Sequence, residues 1–228
     1  MPLLRRTAAE ALGTAFLLAV VVGSGIMAER LSGGNAALAL LANAIATGAC
    51  LFALIQVFAA VSGAHFNPAV SIAMALRGNL AAGDTLAYIA AQVMGALAGV
   101  AAAHAMFDLP LFSFSEQVRE GAALVWSEFV ATFGLVLVIL GASRHGVMAT
   151  ALSVGAYITA AYWFTASTSF ANPAVTIARA FTDGFSGIRI SGIPWFIGSQ
   201  LAAAVAACVI GRWIFASAPK GNQRSFHP

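Results

Sequence analysis

One eleven-residue stretch, and a second stretch that repeats it, constrain this chain more than any other feature. Residues 63–73 read Gly-Ala-His-Phe-Asn-Pro-Ala-Val-Ser-Ile-Ala, and residues 169–178 read Ser-Phe-Ala-Asn-Pro-Ala-Val-Thr-Ile-Ala. Asn at the N-cap with Pro at the first helical position is a strong helix start. The repeat therefore predicts two short helices, 67–77 and 172–181, each beginning at an Asn.

The composition is that of a chain solvated by lipid. Of 228 residues, 61% are hydrophobic and only 8% are charged, whereas a soluble domain carries about 25% charged residues. We therefore attribute the formal charge of +3 to basic residues in cytoplasmic loops and not to a nucleic-acid-binding surface. Cys50 and Cys208 lie in apolar segments, without metal-ligand spacing. We predict no nucleic-acid partner, no metal and no cofactor.

Six apolar runs are each long enough to span a bilayer, since about 20 residues cross a ~30 Å hydrocarbon core. They lie near 8–28, 36–60, 85–105, 122–142, 147–165 and 192–216. The two Asn-Pro helices are too short to span, and such segments are tolerated at membrane depth only inside protein or beside water. The pattern predicts an all-α membrane protein with six transmembrane helices and two re-entrant half-helices.

The distribution of Lys and Arg predicts the orientation in the membrane. With the N-terminus inside, the cytoplasmic side carries Arg5, Arg6, Arg77, Arg144, Arg212, Lys220 and Arg224. The outer side then carries Arg30, Arg119, Arg179 and Arg189. This excess places both termini in the cytoplasm, the polar connection 106–120 outside, and a short tail, 217–228, inside.

The two halves of the chain are related to each other. Glu10 in the first spanning helix corresponds to Glu128 in the fourth, and the segments that follow the two Asn residues align without a gap. Three spanning helices separate the copies, so the second half is inverted and the half-helices enter from opposite faces to meet tip to tip. We predict one domain, 1–228, with repeat 1 at about 7–105 and repeat 2 at about 121–216.

The doubled motif and the acidic pair resemble the aquaporin (major intrinsic protein) family. The resemblance rests on Ser62 to Val70, on a second Asn-Pro-Ala and on the pair Glu10 and Glu128. It implies an aquaporin-like fold and a passive channel, assembled as a homotetramer in a lipid bilayer with one pore per subunit. The residues of the two motifs that it places in the pore are Asn67, Pro68, Ala69, Asn172, Pro173 and Ala174.

The physical chemistry of a narrow apolar pore gives the motif residues a role. A solute stripped of water needs replacement hydrogen bonds. Asn67 and Asn172 would donate them, and backbone carbonyls before each Asn would accept them, in the first copy those of Gly63, Ala64, His65 and Phe66. Two converging helix N-termini also oppose cations. The alternative, that both Asn residues are helix caps without solute contact, is harder to reconcile with two equivalent copies.

Three further side chains have two interpretations each. Glu10 and Glu128 would be buried, which is costly for unpaired carboxylates. They form either a proton relay or a brace that holds each irregular loop through backbone N–H groups, and we expect the brace. His65 is either a pH gate or a pore-lining residue that offers its carbonyl, and the family pattern favours the second.

The sequence departs from the family at the outer constriction. Most aquaporins have Arg after the second Asn-Pro-Ala, where this chain has Val175. The other constriction positions fall on Thr47, on Ile158 or Ala160 depending on the loop alignment, and on Ser169 with Phe170 beside it. These residues predict a wide, uncharged filter. The loop resembles the bacterial aquaporins found with arsenic-resistance genes, which implies arsenite and methylated arsenicals as solutes and a bacterial inner membrane as the location.

Arg179 lies four residues beyond Val175, on the same helix face. One interpretation places its guanidinium at the outer mouth, where it would attract oxyanions or hydroxylated solutes. The other, which we favour from sequence, is an arginine that extends to the membrane interface or pairs with Asp183.

The sequence as a whole predicts a passive channel for small uncharged solutes: glycerol, metalloid hydroxides and water. A water-selective aquaporin is the main alternative. An ion-coupled secondary transporter also has inverted repeats with broken helices, but only Glu10 and Glu128 are titratable at depth. A structural junction protein is a further alternative. No nucleophile–base pair or phosphate-binding loop is present, so an enzyme is not expected.

Overall fold

The computed structural model describes residues 1–216, and all regular structure in that part of the chain is helical. The predicted tail 217–228, with Lys220 and Arg224, lies outside the described residues. Six long helices are apolar enough to span a membrane. They are α1 (Leu3–Leu31), α2 (Ala36–Ser62), α4 (Ala82–Met106), α5 (Ala122–Ala142), α6 (Val147–Phe164) and α8 (Ile193–Ile214). The predicted number of spanning helices is confirmed.

The two half-helices are α3 (Pro68–Leu76) and α7 (Pro173–Ala178). Asn67 and Asn172 are their N-caps, with extended backbone, and Pro occupies the first turn of each. The Asn67 side-chain oxygen accepts a hydrogen bond from the Ala69 N–H at 2.9 Å, and Asn172 accepts one from Ala174 at 3.0 Å. The second half-helix is shorter than predicted, because residues 179–181 tighten into a 3₁₀ turn.

Helix α1 starts five residues before the predicted apolar run. Its first turn contains Arg6, whose Nη1 lies 2.8 Å from Asp84 Oδ2 and whose Nε donates to Tyr88 Oη at 2.8 Å. These contacts with α4 stabilise the polar first turn of α1. Hydropathy alone does not predict that the helix begins there.

The spanning helices pack as two related halves. Helix α1 packs against α2 and α4, helix α5 packs against α6 and α8, and the α2–α6 contact joins the halves. The half-helices are enclosed between α4 and α8, and they touch each other. Gly95 and Gly99 let α4 approach α1 closely, since a Cβ on either would lie 2.2 Å from a backbone oxygen of α1. The inverted repeat with two opposed half-helices is therefore confirmed.

The connection 107–121 lies at the end of the molecule that we call the outer end, following the predicted orientation. It runs along the segment after α7: the Ser113 N–H donates to the Phe181 carbonyl at 3.1 Å, and the Ser115 N–H donates to Ala180 at 3.0 Å. His104 at the end of α4 joins both segments, with Nε2 2.8 Å from Thr182 Oγ1 and Nδ1 2.8 Å from the Pro110 carbonyl. This connection therefore fixes the loops around the second half-helix.

Candidate functional site

The two Asn side chains meet at the centre of the molecule. Asn67 Nδ2 donates to the Ala171 carbonyl at 2.8 Å, and Asn172 Nδ2 donates to the Phe66 carbonyl at 2.8 Å. Each Asn is thus oriented by the loop of the opposite half. An amide NH₂ has two hydrogens, so each Asn retains a second donor, and both residues line the central cavity. The Phe66 carbonyl, expected to accept from a solute, accepts from Asn172 and retains a second lone pair.

The loop before each Asn has an unusual backbone. Phe66 and Ala171 have φ of 49° and 47°, and Ala64 and Ser169 have φ of 53° and 52°. Non-glycine residues rarely adopt this left-handed conformation, which costs about 1–2 kcal/mol each. The surrounding hydrogen bonds must hold these loops in place.

The buried carboxylates Glu10 and Glu128 supply those hydrogen bonds. Glu10 accepts from the His65 N–H at 3.0 Å and from the Phe66 N–H at 2.6 Å. Glu128 accepts from the Phe170 N–H at 2.9 Å and from the Ala171 N–H at 2.8 Å. Both carboxylates are fully buried, and every one of these donors belongs to a left-handed turn or its neighbour. This is the geometry of a brace.

A symmetric pair of glutamines, which our sequence reasoning missed, completes each brace. Gln92 Nε2 donates to Glu10 at 2.8 Å and lies 2.9 Å from Ser71 Oγ. Gln200 Nε2 donates to Glu128 at 2.6 Å and lies 2.9 Å from Thr176 Oγ1. The signal was present, because both glutamines stand in apolar spanning helices at equivalent places in the two halves.

Replacing Glu128 by Gln should destabilise the protein by about 2–3 kcal/mol. The new NH₂ group would face an N–H donor, either the backbone amide of Phe170 or Ala171 or the side chain of Gln200, and one buried donor would lose its acceptor. Thermal unfolding of purified protein in detergent measures the change. Glu120→Gln is the matched control, because Glu120 is exposed and, among residues 1–216, accepts only from Ser191 Oγ at 2.6 Å. Equal unfolding midpoints for both variants would exclude the brace.

A cavity of about 370 Å³ runs along the axis past the two Asn tips. Its lining begins at Ser143 and Gly146 in the α5–α6 turn and ends at Arg179 near the outer end. Gly63, Ala64, His65 and Phe66 all contribute to the lining. The His65 ring is held by two contacts: its Nδ1 lies 3.0 Å from Ser71 Oγ, and its centroid lies 5.4 Å from that of the Tyr88 ring.

The structure distinguishes the alternatives for the fifth spanning helix. Ile158 is buried and lines the cavity, whereas Ala160 is exposed on the opposite face of α6, so the assignment to Ala160 is wrong. Tyr162 also lines the cavity and was missed, although it lies one turn beyond Ile158. Its hydroxyl is 3.2 Å from Thr47 Oγ1. Thr47, Ser169, Phe170 and Val175 line the cavity.

Arg179 does not extend to the membrane interface. Its side chain is only 2% exposed and lines the cavity. Its Cζ lies 3.5 Å from the centroid of the Phe170 ring, and its Nε donates to the Ser186 carbonyl. Asp183 instead accepts from the Glu116 N–H at 3.1 Å. The predicted pairing with Asp183 is therefore wrong, and so is the uncharged lining, because a guanidinium one turn beyond Val175 reaches the cavity.

Arg119, from the connection 107–121, is a second guanidinium beside Phe170. It donates to the carbonyls of Gly187 at 2.8 Å, Phe185 at 3.1 Å and Ser167 at 3.3 Å, and its Cζ lies 5.2 Å from the Phe170 ring centroid. Burial lowers its pKa below the ordinary value. No local pattern in the sequence marks this residue, because its partners are distant in the chain.

The comparisons with known proteins agree with this geometry. A sequence model of the family described as Major intrinsic protein matches residues 1–146. The chain belongs to the major intrinsic protein family. As a member with six spanning helices, it is an integral, multi-pass membrane protein. No group of three or more potential metal ligands occurs within residues 1–216.

Several family members resemble the chain over most of its length. Aquaglyceroporin AqpS of Rhizobium meliloti (strain 1021) is 57% identical over 212 residues, which cover 93% of this chain and 91% of the relative. Aquaporin A of Dictyostelium discoideum is 30% identical and covers 88% of this chain and 77% of the relative. The crystal structure of the aquaglyceroporin from Plasmodium falciparum has the same fold, with a TM-score of 0.72, 21% identity and coverage of 93% and 95%.

Proposed function

We propose that this chain is a passive channel for small uncharged solutes, namely glycerol, metalloid hydroxides such as arsenite, methylated arsenicals, and water. The observation that carries the proposal is the axial cavity with two opposed Asn tips at its centre. The similarity to a protein named as an aquaglyceroporin supports glycerol among these solutes.

The lining favours neutral solutes that carry hydroxyl groups. Most of its side chains are apolar, including Leu51, Ile55 and Leu135, and offer no replacement for a hydration shell. The second amide hydrogens of the two Asn residues donate at the centre, and carbonyls of the preceding loops accept. A neutral polyol or metalloid hydroxide has the complementary groups.

Cations are excluded electrostatically. Two helix N-termini point at the centre of the cavity, each equivalent to about half a positive charge. Arg179 adds a full charge at the outer end, and Arg119 lies beside the same Phe170 ring. A cation that leaves water would therefore meet positive potential along the outer half of its path.

A solute panel in vesicles that contain the purified protein distinguishes this proposal from a water-selective aquaporin. After a hyperosmotic step with glycerol, stopped-flow light scattering should show shrinkage followed by fast reswelling, and arsenite should enter above the rate of empty vesicles. Fast shrinkage without solute-driven reswelling would identify a water-selective pore instead. Arg189→Gln, which removes an exposed surface charge, is the matched control and should behave as the wild type.

We also propose that the channel is a homotetramer in a bacterial inner membrane, with both termini cytoplasmic, and that it catalyses no reaction. The family resemblance supports the tetramer, and the distribution of Lys and Arg supports the orientation. Many large apolar side chains are exposed on the outside of the helices, including Leu86, Trp126 and Trp213. Lipid or neighbouring subunits would cover these surfaces. Light scattering coupled to size-exclusion chromatography measures the subunit number.

A further inference from the structure

The outer end of the cavity holds two guanidinium groups, that of Arg179 buried and that of Arg119 partly buried. Within residues 1–216 the ion pairs are Arg6–Asp84 and Arg189–Glu116, and neither includes Arg119 or Arg179. Both guanidinium carbons lie beside the same Phe170 ring, so they are within about 9 Å of each other, inside a Debye length. A buried charge without an ion partner is costly.

The nearby carboxylates are already engaged. Glu128 accepts hydrogen bonds from the N–H groups of Phe170 and Ala171 and from Gln200. Asp183 accepts from the Glu116 backbone N–H, and Glu116 pairs with Arg189 at 2.9 Å. Within residues 1–216, therefore, no carboxylate forms an ion pair with either guanidinium.

The two guanidinium groups differ in the donors that they leave free. Arg119 uses Nε, Nη1 and Nη2 on three backbone carbonyls. Arg179 uses only Nε, for the Ser186 carbonyl, and its two Nη atoms have no partner within residues 1–216. The Phe170 ring lies over the guanidinium at 3.5 Å and covers its face, so the Nη edge remains for a ligand in the cavity.

We propose that the outer end of the cavity is a binding site for a small tetrahedral oxyanion, such as inorganic phosphate or sulfate, and that the bound anion obstructs solute flow. The two Nη atoms of Arg179 match two oxygens of one oxyanion in a bidentate arrangement. Arg119 contributes a second positive charge and positions the loops that carry Ser167 and Gly187. Only the obstruction of flow rests on the proposed channel function.

The anion binds beside Arg179 because the rest of the cavity lining within residues 1–216 has no other charged hydrogen-bond donor. Below Arg179 the lining is mainly apolar, with Val21, Leu51 and Ile55 among its residues. Moving a doubly charged oxyanion past these side chains would remove its hydration without charge-assisted hydrogen bonds in return. The outer end is therefore where the anion is held.

Calorimetric titration tests the site without reference to transport. Sodium phosphate and sodium sulfate are added to the purified protein in a neutral detergent at constant ionic strength, with chloride as the reference salt. We expect one anion per chain with millimolar or tighter affinity. Arg179→Gln should weaken binding at least about tenfold, and Arg189→Gln, which removes one exposed outer charge, should leave it within about twofold. Arg179→Lys retains the charge without the bidentate edge and should weaken binding by an intermediate factor.

Two results would overturn the proposal. One is that the wild-type protein gives no heat of binding up to about 20 mM phosphate. The other is that Arg179→Gln binds phosphate as tightly as the wild type does. Size-exclusion chromatography verifies that each variant is folded, and Arg179→Lys serves as the test if Arg179→Gln is not. A phosphate affinity of Arg179→Lys equal to that of the wild type would contradict the bidentate contact.

The effect of the anion on glycerol entry is measured in phosphatidylcholine vesicles. All measurements use the same lipid, so the amount of lipid phosphate does not differ between them. External phosphate should slow glycerol entry through the wild type at least about threefold at saturation and should leave entry through Arg179→Gln unchanged. Equal glycerol rates with and without saturating phosphate in the wild type would contradict the obstruction. If glycerol does not enter at all, the proposed function fails, whereas the calorimetric result still decides the anion site.

Discussion

Replacement of Val175 by Arg is expected to lower glycerol and arsenite entry by about tenfold or more. Val175 is buried in the lining, one turn before Arg179 on the same face of the chain. The new guanidinium would lie near that of Arg179, since residues four apart on a helix have Cβ atoms about 5–6 Å apart. Two like charges about 6 Å apart repel by about 3 kcal/mol even at an effective dielectric constant of 20. The longer side chain also narrows the cavity. Both effects act on every solute that passes.

Two variants distinguish the effect of the added positive charge on solute entry from the effect of the larger side-chain volume. Val175→Met increases the volume without a charge and should reduce entry less than Val175→Arg does. The double variant Val175→Arg, Arg179→Val moves one guanidinium by a turn and should conduct faster than Val175→Arg alone, because the like-charge pair is gone. Stopped-flow rates at matched protein density measure all three. Entry through Val175→Arg at the wild-type rate would show that Val175 does not face the solute path.

The second large effect is expected from Gly95→Ala in helix α4, which should destabilise the protein by about 3 kcal/mol. A Cβ at Gly95 would lie 2.2 Å from the Ala11 carbonyl oxygen and 2.9 Å from Ala11 Cα. Backbone atoms of a helix cannot rotate away, so α1 and α4 would have to separate. These helices carry Glu10 and Gln92, which hold the first re-entrant loop, so the loss should also reduce transport.

Gly198→Ala in helix α8 is the matched control. A Cβ there meets no atom of residues 1–216 within 4 Å, and Ala is the better helix former by about 0.5–1 kcal/mol. Thermal unfolding in detergent should therefore show a lower midpoint for Gly95→Ala and an equal or higher midpoint for Gly198→Ala. Identical midpoints for the two variants would mean that α1 and α4 are not in close contact.

The sequence predicts most of this fold because its strongest signals are local. Asn-Pro within an apolar segment specifies a helix start with little help from tertiary contacts, and the two copies, three spanning helices apart, imply the inversion. The helix ends are less predictable: α1 begins at Leu3 because Arg6 contacts Asp84 and Tyr88, residues that are distant in the chain.

The lining was only partly predictable, because it depends on contacts between distant segments. Arg179 was expected at the interface, yet Phe170 and Ser186 hold it beside the cavity. Arg119 had no motif at all. Ile158 and Ala160 could not be distinguished, since the loop between α6 and α7 has no fixed length in the family resemblance, whereas the helix face in the structure separates them.

Gln92 and Gln200 were missed for a different reason. Gln92 and Gln200 could have been found from the sequence, because a polar side chain in each of two equivalent spanning helices implies a buried partner. The partners are the two acidic residues already recognised.

The dependence of the initial glycerol entry rate on the glycerol gradient, measured in vesicles with and without a proton gradient, tests the central claim most directly. A pore between opposed Asn-tipped helices predicts a rate proportional to the glycerol gradient and unchanged by the proton gradient. A rate that saturates with glycerol and rises with the proton gradient would identify a coupled transporter and contradict the pore.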